Sequence, residues 1–270
     1  MAKMVVTILG CGSSGGVPRV AQGWGKCDPD EPKNRRRRCS ILVERIGEGG
    51  TTRVLIDTSP DLREQLIDAE VPALDAVVFT HEHADHTHGI DDLRPFAIVS
   101  RKRMPVYADS TTMGMLTSRF GYCFATPQGS DYPPILTGHL IDNEAPFTLD
   151  GAGGTITLQP FPLVHGTIEA LGFRIDDFAY TPDVNEIPDS SVRWLHGLDC
   201  WVIDALRDTR HPTHFSLGEA LDWIERQKPQ RAVLTNLHTD LDYGRLMREM
   251  REGIAPAYDG MRIEWNARAS

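Results

Sequence analysis

Short apolar runs broken by glycine, proline or charge recur along the chain, a rhythm that predicts more strands than helices. Strand-like runs cover residues 5–9, 40–44, 53–57 and 76–80, and then 105–108, 155–160, 172–175, 178–181, 200–204 and 232–235. Val77-Val78-Phe79 and Val233-Leu234 are apolar without alternation, as expected of strands covered on both faces. Ser59-Pro60-Asp61 predicts a helix start, with Ser59 as N-cap, Pro60 in the first position and Leu62, Leu66 and Ile67 on one face. Ser216-x-x-Glu219 is a capping box ahead of Leu217, Ala220, Leu221 and Ile224, which predicts a second helix. Strands and fewer helices, mixed along the chain, imply an α+β sandwich in one domain spanning 1–270. Residues 110–150, rich in glycine, proline and aromatics, are expected to form an insertion or flap.

Composition narrows the function. At 270 residues and 40% hydrophobic content the chain can bury a large core without disulfide staples. Its 38 acidic and 28 basic residues give a net charge of -10, which argues against broad nucleic-acid binding. No run approaches the ~18–20 apolar residues of a membrane span. The first seven residues enter a strand without a signal-peptide core, so a cytoplasmic location and no membrane partner are expected. Five scattered cysteines with no C-x-x-C pair fit neither a disulfide framework nor a four-cysteine zinc module.

Gly10-Cys11-Gly12-Ser13-Ser14-Gly15 follows a strand and matches the dinucleotide fingerprint letter for letter. That fingerprint also needs a helix opening within it, and Gly16, Pro18, Gly23 and Gly25 follow instead. The glycines therefore read as a sharp backbone turn, with phosphate-lining amides as the functional alternative. The stronger signal is His81-Glu82-His83-Ala84-Asp85-His86, at the end of the apolar run 76–80. In extended geometry His81 and His83 face the same side and suit one metal, leaving Asp85 and His86 for a second. Imidazole and carboxylate donors favour Zn, Mn or Fe over Ca or Mg.

This H-x-H-x-D-H pattern resembles the metallo-β-lactamase superfamily, whose fold is a four-layer αββα sandwich with a dinuclear site. Phe161-Pro162-Leu163-Val164-His165 resembles the superfamily's third-histidine segment, and Ala179-Tyr180-Thr181-Pro182-Asp183 the strand ending in a bridging aspartate. Val54-Leu55-Ile56-Asp57 resembles the early strand whose aspartate braces the histidine loop. The resemblance implies two divalent ions. His81, His83 and His165 would bind one, Asp85, His86 and a late histidine the other, with Asp183 bridging. Relatives often end the last strand in Leu-Thr-His. Here it reads Leu234-Thr235-Asn236-Leu237-His238, so His238 is the expected ligand if the backbone stays extended.

The start, Gly10-x-Gly12-x-x-Gly15-Gly16-Val17-Pro18 and then Arg37-Arg38-Cys39-Ser40, is similar to the PhnP branch of phosphodiesterases. Those enzymes open 5-phosphoribosyl 1,2-cyclic phosphate, so the resemblance implies a small phosphorylated or nucleotide-like substrate attacked by a hydroxide held between the metals. Only Cys27 stands where some relatives hold a structural zinc, so none is expected. Asp85 and His214 are the candidate catalytic residues, His214 matching the branch's general acid for the leaving alkoxide. His211 is expected to be exposed, and His88, Asp91 and Asp92 to belong to a helix entry. The block Arg35-Arg36-Arg37-Arg38 is expected to be a solvated face, with steering of a phosphorylated substrate as the alternative. Other readings are a tRNA-processing-type nuclease, a thioester or lactone hydrolase, and a non-catalytic metal- and nucleotide-binding protein. A homodimer is compatible with all of them.

Overall fold

The computed structural model describes residues 2–268. Its contacts divide the chain into two compact units, one formed by Ser40–Thr157 with the two chain ends and the other by Ile8–Cys39 with Leu158–Met261. The first sheet takes β1 (Lys3–Gly10), β2 (Ser40–Gly47), β3 (Gly50–Ile56), β4 (Ala76–Val78), β5 (Met104–Ala108) and β6 (Leu136–Leu140). The second takes β7 (Phe147–Leu149), β8 (Ile156–His165), β9 (Ile168–Ile175), β10 (Phe178–Thr181), β11 (Cys200–Asp204), β12 (Arg231–Thr235) and β13 (Ile254–Pro256). A last strand, β14 (Arg262–Asn266), pairs antiparallel with β1. The orders are β14-β1-β2-β3-β4-β5-β6 and β13-β12-β11-β10-β9-β8-β7.

Helices mark where the pairing turns parallel. In the first unit these are α1 (Leu62–Asp68), α2 (Ala84–Thr87), α3 (Arg94–Ser100), α4 (Ser110–Arg119) and α5 (Gly121–Phe124). The second holds α6 (Asp189–Val192), α7 (Leu217–Gln227) and α8 (Tyr243–Glu249). A hairpin joins β2 to β3, whereas β3-β4, β4-β5 and β5-β6 are parallel and each needs a crossover through helix. The second sheet repeats the plan, with antiparallel β8-β9-β10 and then parallel β10-β11-β12-β13. Parallel strands release their chain ends on one sheet edge, where loops can gather side chains.

The second unit's core is built on this sheet. Phe161, Trp201, Ile203 and Leu234 pack with Leu217, Ala220 and Ile224, the apolar face of α7. Trp201 is fully buried, and its indole N–H donates to Thr181 Oγ1 at 3.0 Å. The capping box of α7 is present in both directions between Ser216 and Glu219.

Two expectations change. Helix α1 begins at Leu62 with Asp61 in the cap position, because Ser59 Oγ is used one turn earlier, accepting from the Asp61 amide and donating to Gln65 Oε1. Residues 110–150 supply α4, capped by Asp109, then α5, then β6 beside β5 and β7 in the second sheet. The basic block is not one solvated face, since Arg36 is 1% exposed and donates to Asn34 Oδ1. Among the described residues, no helix is long and apolar enough to cross a membrane.

Asn34 and Asp242 tie the segment after the glycine-rich turn to the entry of α8. Asp242 accepts from the Arg245 amide (2.7 Å) as N-cap, and from the Asp28 amide (3.1 Å) and Asn34 Nδ2 (2.6 Å). Partial burial pushes the Asp242 carboxyl up, but these hydrogen bonds and Arg36 outweigh it and hold the group below its ordinary value. A carboxyl depressed in this way stabilises the fold above its unfolded pKa, and the contribution is lost as pH falls through the folded pKa. Asp242→Asn should therefore cost about 1–2 kcal/mol at neutral pH, by urea denaturation. The gap to wild type should close below about pH 4.

Candidate metal centre

In the first unit the site begins where two parallel strands stop. β3 ends at Ile56, and Asp57 then adopts φ +66°, a left-handed conformation that turns the chain out of the sheet. Asp57 Oδ1 accepts from the Thr80 amide (2.8 Å), while Oδ2 accepts from Thr80 Oγ1 (2.8 Å) and faces His86 Nδ1 (2.7 Å). This explains why β4 ends at Val78 and not at residue 80: the Thr80 amide is withdrawn from the ladder by a side chain. Ser40 Oγ fixes the bend from behind by donating to the Ile56 and Asp57 carbonyls.

Asp57 is fully buried. Burial raises its pKa, while His86 and the two hydrogen bonds from Thr80 oppose the shift. With Nδ1 of His86 donating to the carboxylate, Nε2 is the nitrogen left with a lone pair, the tautomer of a metal-binding histidine. His81 Nε2 and His83 Nδ1 lie 3.1 Å apart, two ring nitrogens of adjacent side chains aimed at common ground. Asp85 Oδ2 lies 3.6 Å from His86 Nε2, at the start of α2.

The second unit gathers its own donors by the same device. His165 closes β8, and its Nδ1 faces the Thr213 carbonyl at 2.6 Å, so Nε2 again carries the lone pair. Asp183 follows β10 across Pro182, and Asp204 ends β11. His214, in the loop before α7, places Nδ1 2.8 Å from Asp204 Oδ2 and 3.8 Å from Asp183 Oδ2. His165, Asp183 and His214 each bring a ligand atom within 4.8 Å of the other two. Asp204 is fully buried, and its Oδ1 accepts no hydrogen bond from the described residues. Burial raises its pKa, with His214 pulling down and Asp183 pushing up.

His238 behaves differently. Asn236 has φ +62°, so the extended backbone assumed between 235 and 238 is absent. The Asn236 amide lies 3.1 Å from His214 Nδ1 and donates to the Pro182 carbonyl. His238 Nε2 instead meets the Arg19 guanidinium at 2.5 Å, and its Nδ1 lies 3.3 Å from Asp240. His211 is half-buried, not exposed, with its ring centroid 5.2 Å from that of His214. Asp204 and Arg19 were not singled out from the sequence, and Asn236 only as the residue standing where relatives carry a histidine. Asp204 had a signal: like Asp57, it is a carboxylate closing an apolar strand.

Residues 52–236 match the family model of the β-lactamase superfamily domain. A solved diphosphatase from the PhnP family is 34% identical, covers 98% of each chain and gives a TM-score of 0.86. This chain belongs to the PhnP family of the metallo-β-lactamase superfamily. Zinc-bound PqqB from Methylobacterium extorquens shares the fold at 19% identity, with a TM-score of 0.74 over 96% of this chain and 99% of that one. An octanoyltransferase of Porphyromonas gingivalis is 32% identical over 94% of this chain, which spans only 50% of that relative's length. Coenzyme PQQ synthesis protein B of Pseudomonas putida is 24% identical over 97% of this chain and all of its own.

The α+β metallo-β-lactamase fold expected from the sequence is thus the fold of this PhnP-family protein. Its donor set suits a divalent metal: imidazoles with one nitrogen anchored and the other left as donor, beside a buried carboxylate. Asp57→Asn is compatible with the left-handed backbone and removes only the charge and one acceptor. It should weaken divalent-metal binding about 10–100-fold in a chelator competition while the fold is retained by circular dichroism.

Proposed function

We propose that this PhnP-family protein is a dinuclear metal-dependent phosphodiesterase for a small cyclic or nucleotide-like phosphate, such as 5-phosphoribosyl 1,2-cyclic phosphate. The observation that carries the reading is the His214–Asp204 pair, an imidazole held on a buried carboxylate at 2.8 Å beside Asp183. Expelling an alkoxide from a phosphodiester needs a proton at the leaving oxygen, and His214 is held to give one. Asp204 fixes the ring through Nδ1 and stabilises its protonated form, which leaves Nε2–H as the group that would give the proton. Asn236 adds a neutral contact to the same ring.

In this reading His81, His83 and His165 would hold one ion, and Asp85, His86 and Asp183 would help to hold a second. Zn, Mn and Fe suit these donors. Bound divalent ions would supply an activated water and neutralise charge on the phosphoryl oxygens. Asp57 keeps His86 in the binding tautomer, and the Thr213 carbonyl does the same for His165. His238 is left out of the ligand set, because its Nε2 is engaged by Arg19. A cytoplasmic location is supported by five cysteines that are all unpaired and buried. The net charge of -10 supports a small phosphorylated substrate over a long nucleic acid.

Metal analysis of the purified protein should give about two equivalents per chain, and Asp183→Ala should lower both metal content and turnover. His214→Ala should cut kcat about 100–10,000-fold on a diester with an alkoxide leaving group. The loss should be much smaller on bis-p-nitrophenyl phosphate, whose leaving group needs no proton. Equal losses on both substrates would exclude His214 as the proton donor.

A further inference from the structure

The glycine-rich turn that resembles a dinucleotide fingerprint has no part in the chemistry above, yet one of its glycines leaves space that a side chain occupies. Gly15 does not need a left-handed backbone. A Cβ added there would lie 2.3 Å from Arg19 Nε and 2.8 Å from Arg19 Nη2, so the arginine runs directly over the glycine. Arg19 is itself held by a tight turn, its amide donating to the Gly23 carbonyl at 2.9 Å and its carbonyl accepting from the Gly23 amide at 2.8 Å. The guanidinium then meets His238 Nε2 at 2.5 Å.

That contact is chemically particular. A guanidinium donates and never accepts, so His238 must receive through Nε2 and carry its proton on Nδ1, towards Thr239 Oγ1 at 3.1 Å and Asp240 at 3.3 Å. The imidazole is therefore neutral, and both burial and Arg19 lower its pKa. Among the described residues Arg19 has no carboxylate partner, in a chain with 38 acidic residues. Arg207 is alike: its guanidinium donates to the Thr209 and Arg210 carbonyls, and its field also reaches His238. Ser13, two residues before Gly15, has a buried hydroxyl with no partner. Gly12 bridges Leu237, so this turn lies against the residue preceding His238.

The cationic corner also adjoins the donor cluster of its own unit. His238 is two residues from Asn236, whose amide touches His214, and the chain spans at most roughly 7 Å over that distance. His211 packs beside His214, their ring centroids 5.2 Å apart.

We propose that Arg19, laid over Gly15 and oriented by His238, is the residue that binds the non-reacting phosphate of a substrate such as 5-phosphoribosyl 1,2-cyclic phosphate, and so sets the preference for it over the same diester without that phosphate. This deepens the phosphodiesterase reading and rests on it. One N–H of the guanidinium is committed to His238, and the others remain for a planar two-point contact with phosphate oxygens. His238 is a positioning residue, holding the arginine without competing for it as a carboxylate would.

The test compares adenosine 2′,3′-cyclic phosphate with its 5′-phosphorylated form, the same diester without and with a phosphomonoester. Metal-loaded wild type should favour the phosphorylated form in kcat/KM by about 10–100-fold, and Arg19→Gln should erase most of that ratio through KM. Arg19→Lys should keep part of it, and His238→Gln should reduce it, again through KM and not kcat. A wild-type ratio near one, or an unchanged ratio in Arg19→Gln, would overturn the proposal. Should wild type cleave neither diester, the phosphodiesterase reading fails and calorimetric titration with inorganic phosphate decides the subsite. Binding about tenfold or more weaker in Arg19→Gln would sustain it, and equal binding would overturn it.

Discussion

A buried carboxylate accepting hydrogen bonds from the end of a neighbouring strand is the constraint on which this molecule's chemistry depends. Asp57 leaves β3 in a left-handed turn, withdraws the Thr80 amide from the sheet and orients His86. Burying a carboxylate is costly unless its oxygens are well satisfied. Here two hydrogen bonds from Thr80 and the His86 ring supply that satisfaction, so the charge can remain in the core. The strand end, the histidine loop and the imidazole tautomer are consequences of one side chain.

The second unit reaches a similar result with different residues. Asp204 closes β11 as Asp57 closes β3, and each carboxylate holds the Nδ1 of one histidine. Only Asp57 has both oxygens engaged. Asp204 Oδ1 is buried without a hydrogen bond, and Asp183 lies near enough to raise its pKa further. A fully satisfied carboxylate suits a fixed metal-binding imidazole, and a less satisfied one suits an imidazole that exchanges a proton. The difference in roles assigned to His86 and His214 follows from that difference in surroundings.

Much of this was legible in the sequence, and for physical reasons. Alternation and buried apolar runs located ten strands, because burial selects residue type position by position. The capping box at Ser216 was legible because its chemistry is local. The strands β6, β7, β13 and β14 escaped notice, being edge or near-edge elements whose residues, such as the exposed run after Leu136, carry little apolar signal. The strand ends at residues 56 and 78 were misjudged by one and two residues for one reason. Both are set by the left-handed Asp57 and its hydrogen bond from the Thr80 amide, and not by local propensity. A left-handed turn at Asn236 upset the extended backbone assumed for His238. Arg19 was invisible because its importance lies in what Gly15 lacks, and a missing side chain signals nothing until the structure shows what occupies its place.

Divalent-metal binding by the histidine and carboxylate donors is the proposal on which the phosphodiesterase reading rests. The most direct measurement is diffraction from crystals grown with native metals retained, using anomalous scattering to locate them. Two peaks separated by roughly 3.5–4 Å, with His81, His83, His86, His165, Asp85 and Asp183 as ligands and His238 still on Arg19, are predicted. A single peak, or no peak with the imidazoles hydrogen-bonded to one another, would contradict the account.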